Sequence, residues 1–152
     1  MRRTRFDTWP CPIARATDLV GDWWTPLVLR ELFSGRSRFD DIQESLGCSR
    51  AVLSQRLNRL VDEGLLVKVP YEEHPPRVDY RLTDKGRAFF PHVMVLLDWG
   101  DRWFRAPEGP ATLLTHTTCG GDFRPVLHCS ACARELHGSQ IQVGGDPPKS
   151  SS

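Results

Sequence analysis

SRAVLSQRLNRLVDEGLLVKVPYEEHPPRVDYRLTD, running from Ser49 to Asp84, is the stretch whose reading decides the fold. At about 100 degrees per residue, Leu53, Leu57, Leu60 and Val61 fall on one face of a helix and should meet a core. Ala51, Gln55, Asn58 and Arg59 fall opposite, with Ser54 at the flank; these side chains are short or hydrogen-bonding, suited to base edges and phosphates. Ser49 is placed to cap the free amides of the first turn, and Gly64 supplies a left-handed residue to end the helix. Two strand-like arms follow, Leu65 to Val69 and Arg77 to Leu82, the second alternating Val78, Tyr80 and Leu82 against Arg77, Asp79 and Arg81. Between them, Glu72, Glu73, His74, Pro75 and Pro76 read as a loop, because proline cannot donate to a ladder. A helix followed by such a hairpin is the order of a recognition helix and wing.

Working upstream, Ser37 as N-cap with Asp40 three residues on predicts a short helix ending at Gly47, a few residues before the next helix, as a helix-turn-helix requires. Residues 24–33 place Trp24, Leu27, Val28 and Leu32 at helical spacing and read as the central buried helix. Residues 12–20 read as a preceding helix, with Pro12 in its first turn and Gly21 at its end. Downstream, Thr83 is placed to cap a helix over 84–104. Its stripe of Phe89, Val93, Leu96, Gly100 and Trp103 is flanked by Phe90, Leu97 and Phe104, more apolar surface than one small domain covers easily. Pairing with a second copy would bury it, and a two-fold homodimer is the commonest such arrangement; the alternative is packing on its own domain. The expected fold class is α+β, a mainly helical winged helix-turn-helix domain over 1–104.

Composition sets limits. The chain has 152 residues, 39% hydrophobic and 26% charged, with a net charge of +1, so any field for nucleic acid must come from local placement. Arg2, Arg3 and Arg5 at the N-terminus and Arg36, Arg38, Arg50, Arg56 and Arg59 around the helix-turn-helix are the available cations, with Lys68 and Arg77 on the wing; the alternative for each is a solvated surface charge. No apolar run approaches the roughly 20 residues that span a bilayer and no signal peptide precedes Cys11, so a cytoplasmic protein is expected, with no membrane partner and cysteines mostly reduced or metal-bound. A Gly-rich phosphate loop, a nucleophile elbow and paired carboxylates with a base are all missing, which argues against an enzyme and a catalytic residue.

After Trp103 the chain changes character. Residues 105–110, with Pro107, Gly109 and Pro110, read as a linker, and residues 143–152 as a disordered tail. Between them, 111–142 contain His116, Cys119, Cys129 and Cys132 as H-x2-C-x9-C-x2-C. Two such pairs can close a tetrahedral structural zinc site, one knuckle per pair, so a zinc-ribbon-like extension is expected; the alternative is three reduced cysteines with no metal. His128 and His137 are substitutes for His116. Leu113, Leu114, Phe123, Val126 and Leu127 are the main apolar residues of this segment.

Several short motifs, in order, resemble the HxlR-type family of bacterial winged helix-turn-helix transcriptional regulators over roughly residues 9–104. They are Cys11, Pro12, Ile13, Ala14; Gly21, Asp22, Trp23, Trp24, Thr25; Leu29, Arg30, Glu31, Leu32; Arg38, Phe39; Leu53, Ser54, Arg56, Leu57; Gly64, Leu65; Pro75, Pro76, Arg77, Val78, Tyr80; and Leu82, Thr83, Lys85, Gly86. Trp23 departs from the family, which often has a small or basic residue there. The resemblance implies a homodimer that binds a two-fold-related operator in double-stranded DNA and usually represses a neighbouring gene. The residues expected at the DNA are Arg38, Ser49, Arg50, Ala51, Ser54, Gln55, Asn58, Arg59, Lys68 and Arg77. Cys11, ahead of the first helix and near Arg5 and Arg15, is similar in position to the cysteine with which some thiol-sensing members detect electrophiles or oxidants; the alternative is a small buried hydrophobe, which is also the reading of Cys48. The effector, a small molecule or an electrophile, is not legible. A second functional class remains: a winged helix used for protein interaction, with the ribbon as a second contact module.

Overall fold

In the computed structural model, residues 5–104 and 114–141 are described. Arg2, Arg3, the linker 105–110, Leu113 and the tail 143–152 lie outside them. The chain divides into two compact units, Met1–Phe90 and Pro91–Ser152. The division thus falls after Phe90.

The first unit contains α1 (Pro12–Val20), α2 (Thr25–Phe33), α3 (Phe39–Leu46), α4 (Arg50–Asp62), β1 (Leu66–Glu73), β2 (Pro76–Leu82) and α5 (Asp84–Arg87). Its core is Val28, Leu29 and Leu32 from α2, Ile42 from α3, Leu53, Leu57 and Leu60 from α4, and Leu65, Leu66 and Tyr80 from the wing, all buried. Each such leucine or isoleucine contributes on the order of 1.5–3 kcal/mol relative to exposure. The face of α2 that packs is rotated from the expected one. Leu29 is fully buried, whereas Leu27 is 36% exposed and Trp24 half-buried. Polar Thr25 and Glu31 are buried on the same helix.

Local chemistry sets the helix ends. Asp22 accepts from the amides of Trp24 and Thr25, both at 2.9 Å, and from the Thr25 hydroxyl, so it closes the N-terminus of α2. Ser49 caps α4, accepting from the Val52 amide at 3.3 Å, as expected. Ser37 does not cap α3. Its carbonyl accepts from the Tyr80 amide of β2 at 2.8 Å and Arg38 bridges Asp79, so the wing draws this segment in as a short edge; Arg38 becomes the N-cap, without a side-chain bond. The turn to α4 is made by Gly47 at φ 64, a left-handed residue no β-carbon disfavours.

The wing is longer than the sequence reading. β1 and β2 pair antiparallel from Leu66 opposite Leu82 to Glu73 opposite Pro76, leaving His74 and Pro75 as the turn. The prolines are accommodated at irregular positions: the register shifts between Pro70 and Glu72, and Pro76 is the first residue of its strand. Glu72, Glu73 and Pro76 therefore lie in the ladder. The expected alternation holds at Tyr80, buried, at Val78 and Leu82, half-buried, and at Arg77 and Arg81, exposed, but Asp79 on the polar face is half-buried against Arg38.

The helix expected over 84–104 is two helices. Thr83 accepts from the Gly86 amide at 3.1 Å and caps α5, which stops at Arg87. α6 begins at Phe90 and runs to Trp103. Pro91 has no amide to donate to the Arg87 carbonyl, so the ladder cannot continue through it. Gly86 is required by packing, since a β-carbon there would collide with the Leu65 carbonyl oxygen.

The second unit holds α6 and two small hairpins. Arg124 lies 3.4 Å from Asp98 of α6, which also pairs with Arg102. Among the described residues no helix is long and apolar enough to cross a membrane.

Candidate nucleic-acid interface

Packing of Leu53, Leu57 and Leu60 leaves Ala51, Gln55 and Asn58 exposed along one side of α4, with Ser54 half-buried beside them. Among the described residues none bonds the Gln55 side chain. Asn58 accepts from the Lys68 ammonium at 2.9 Å, which ties the polar face of the helix to the wing. Short polar groups on an accessible helix face, beside a hairpin that offers Lys68, Arg77 and Arg81 but balances them with Glu72, Glu73 and Asp79, are the kind of surface that meets a major groove and its flanking phosphates.

A second cluster lies where the starts of α3 and α4 approach the wing. Arg38, Arg50, Tyr71 and Arg77 line a cavity of about 420 Å³ together with Asp40 and Asp41. Arg50 pairs with Asp40 at 2.7 Å and lies over the Phe39 ring; Arg38 lies over the Tyr71 ring; Arg77 is 3.3 Å from Glu72. All three arginine side chains are more than half exposed, so these pairs are weak and exchangeable for phosphate. The acidic neighbours keep the cluster from being a purely positive patch.

Arg59 and Arg56 are placed differently from the sequence expectation. The Arg59 guanidinium donates to the Asp18 carboxylate at 2.8 Å and to the Asp18 carbonyl at 2.7 Å, with 24% of its side chain exposed. Arg56 faces Asp22 at 3.2 Å and is 17% exposed. Both clamp α4 onto α1 and the α1–α2 turn and hold it in place. Burial acts to raise the Asp22 pKa, but bonds from Thr25 and Trp24 with the Arg56 charge hold it below the ordinary aspartate value. Glu31 is also held low: burial opposes this, while the bonds from Ser45 and Arg30 and the charges of Arg30 and Arg36 outweigh it, the Ser45 bond joining α2 to α3. These acidic anchors escaped the sequence reading. Asp22 just ahead of Thr25 is a local capping signal that could have been found; the Asp18 to Arg59 contact spans 41 positions and left no local trace.

Cys11 is the half-buried N-cap of α1, and Cys48 is buried as expected. Of the cations expected near Cys11, Arg15 donates to the carbonyls of Trp9 and Pro10, and Arg5 pairs with Asp7 at 2.7 Å. The expected apolar stripe of α6 divides. Val93 is buried, Phe89 precedes the helix and is half-buried like Gly100, whereas Leu96 is 52% and Trp103 67% exposed. Trp99, missed in the sequence reading, joins them at 51%.

His116 Nδ1 lies 3.4 Å from Cys119 Sγ, and Cys129 and Cys132 form a second pair. Among the described residues, no group of three or more His, Cys, Asp or Glu is gathered closely enough to hold a metal ion.

Known proteins carry the same architecture. An uncharacterized HTH-type transcriptional regulator of Mycobacterium tuberculosis strain H37Rv is 46% identical over 124 residues, covering 82% of this chain and 78% of that protein. The crystal structure of PA1607, a candidate transcription factor, superposes with a TM-score of 0.83 at 35% identity, covering 94% of this chain and all of the other. The redox regulator HypR in its oxidized form matches 60% of this chain and 96% of its own, at 27% identity and a TM-score of 0.56. The HxlR-like helix-turn-helix family model matches residues 19–108. With α4 and the wing set as described, this chain belongs to the HxlR-like helix-turn-helix family of transcriptional regulators and is not an enzyme.

Proposed function

We propose that the chain is a homodimeric, sequence-specific repressor that reads an operator half-site with Ala51, Ser54, Gln55 and Asn58 and holds the backbone with Arg38, Arg50, Lys68 and Arg77. The observation that carries this is the exposed face of α4, where, among the described residues, none bonds the Gln55 side chain and Asn58 accepts from an exposed wing lysine. Two-fold pairing is supported by the apolar strip Leu96, Trp99 and Trp103, too large to be typical of a monomer surface. A thiol response through Cys11 is supported by its half-buried N-cap position and by the likeness to HypR. Selection of bound DNA from a random pool, followed by affinity measured against salt, tests the reading. A two-fold-related site with affinity falling linearly in log salt is expected. The near-neutral net charge favours a second reading, a winged helix that binds protein; failure to enrich any sequence would move the conclusion there.

A further inference from the structure

We propose that the two hairpins of the C-terminal unit are halves of one tetrahedral transition-metal site of the zinc class, ligated by His116, Cys119, Cys129 and Cys132. The hairpins share three backbone hydrogen bonds at equivalent positions, the first adding a bond from the Cys119 amide to the His116 carbonyl at 3.2 Å. In the first, the Gly120 amide donates to the His116 carbonyl at 2.7 Å; in the second, the Ala133 amide donates to the Cys129 carbonyl at 2.8 Å. The His116 amide donates to Gly121 and the Cys129 amide to Arg134, each five residues on. Phe123 closes the first hairpin on Leu114, and Leu136 closes the second on Leu127, both at 2.8 Å. Single β-bridges stand at the same places, Thr115 with Asp122 and His128 with Glu135. The residue after the second ligand of each pair is left-handed, Gly120 at φ 70 and Ala133 at φ 58. Ala133 is the sole non-glycine residue at positive φ among those described, a conformation that costs roughly 1–2 kcal/mol. A strained residue that reproduces the geometry of its glycine counterpart marks a turn kept for what it presents, here a C-x2-C pair.

The first pair already has the spacing a shared ion demands. With metal–sulfur and metal–nitrogen bonds of about 2.3 and 2.05 Å, a tetrahedral angle separates the two atoms by about 3.6 Å; Nδ1 and Sγ stand 3.4 Å apart. The two pairs are not gathered together among the described residues, so binding would draw one hairpin onto the other. Little opposes that movement. Of the side chains described from 114 to 141 none is buried, and Phe123, Val126, Leu127 and Ile141 are between 38% and 57% exposed. A segment this small with no core of its own takes its folding energy from a staple, and a metal is the staple these ligands offer. Four protein ligands leave no open position, so the ion would be structural.

The test uses the full chain, reduced and purified without chelator, with elemental analysis and Co(II) titration. One metal per chain and the visible absorption of tetrahedral thiolate-bound Co(II) are expected. Cys119→Ser and Cys132→Ser, one from each hairpin, should each lose both signals, while His116→Cys, His128→Gln and His137→Gln keep them. Circular dichroism of the helices should be unchanged throughout, which separates ligand loss from misfolding of the winged helix. The proposal is overturned if neither Zn nor Co(II) binds stoichiometrically, if the Co(II) spectrum survives loss of either cysteine, or if half an equivalent binds per chain, which would place the ion between two copies.

Discussion

Replacing Arg59 by alanine separates the role its position in the sequence implies from the role its contacts imply. A phosphate contact would lose DNA affinity uniformly over all sequences and flatten the salt dependence, with the fold untouched. The structure instead gives Arg59 two charge-assisted bonds to Asp18, at 2.8 Å to the carboxylate and 2.7 Å to the carbonyl. Breaking a fully buried pair costs about 3–5 kcal/mol, and a single hydrogen bond to a charged group about 1.5–3 kcal/mol. Asp18 is 6% exposed at its side chain but Arg59 keeps 24%, so water can partly replace the guanidinium. The expected loss is therefore about 2 kcal/mol. In urea, with m of about 1–3 kcal/mol per molar, that moves the midpoint down by roughly 1 M. Asp18→Asn should lose a similar amount, and the double variant should show a coupling of about 1–2 kcal/mol. A midpoint unchanged in Arg59→Ala, together with a uniform drop in DNA affinity, would refute this and return Arg59 to the phosphate backbone.

Gln55→Ala and Asn58→Ala should each cost roughly 1–3 kcal/mol on the selected site and relax base preference, whereas Arg50→Ala should weaken all sequences alike; a double Gln55→Ala, Asn58→Ala variant with wild-type preference, measured by competition binding, would rule out α4 as the reading helix. Leu96→Asp or Trp99→Asp should give monomers by light scattering, because a charge without a partner in an apolar interface is costly; a wild-type monomer at micromolar concentration with full operator affinity would contradict the dimer. Stability should fall in acid. Asp22 and Glu31 are held below their ordinary values of 3.8 and 4.5, so their contribution is complete at neutral pH, begins to fade as the pH drops towards those values, and is gone below the lowered ones. Urea midpoints at several pH values should show this, and Glu31→Gln should flatten the curve; a wild-type midpoint constant down to acid pH would contradict it.

Local chemistry was enough for much of the molecule. The period of Leu53, Leu57 and Leu60, the Ser49 cap and the left-handed Gly47 and Gly64 are written in adjacent residues, so the helix-turn-helix, the position of α4 and the alternation of β2 were legible without a fold. The exposure of Ala51, Gln55 and Asn58 follows from the same period, since whatever does not face the core faces solvent. Tertiary structure decided where charges go. Arg56 and Arg59 look like their neighbours in sequence, yet Asp22 of the α1–α2 turn and Asp18 of α1 claim them, and a low-exposure pair outcompetes solvent only once the chain is folded. It also decided the α3 cap, because Tyr80, 43 positions beyond Ser37 in the numbering, takes the Ser37 carbonyl. The spacing of His116, Cys119, Cys129 and Cys132 was visible in the sequence, but the repetition of one hairpin by the other was not, since Gly120 and Ala133 share a backbone conformation and no side-chain chemistry.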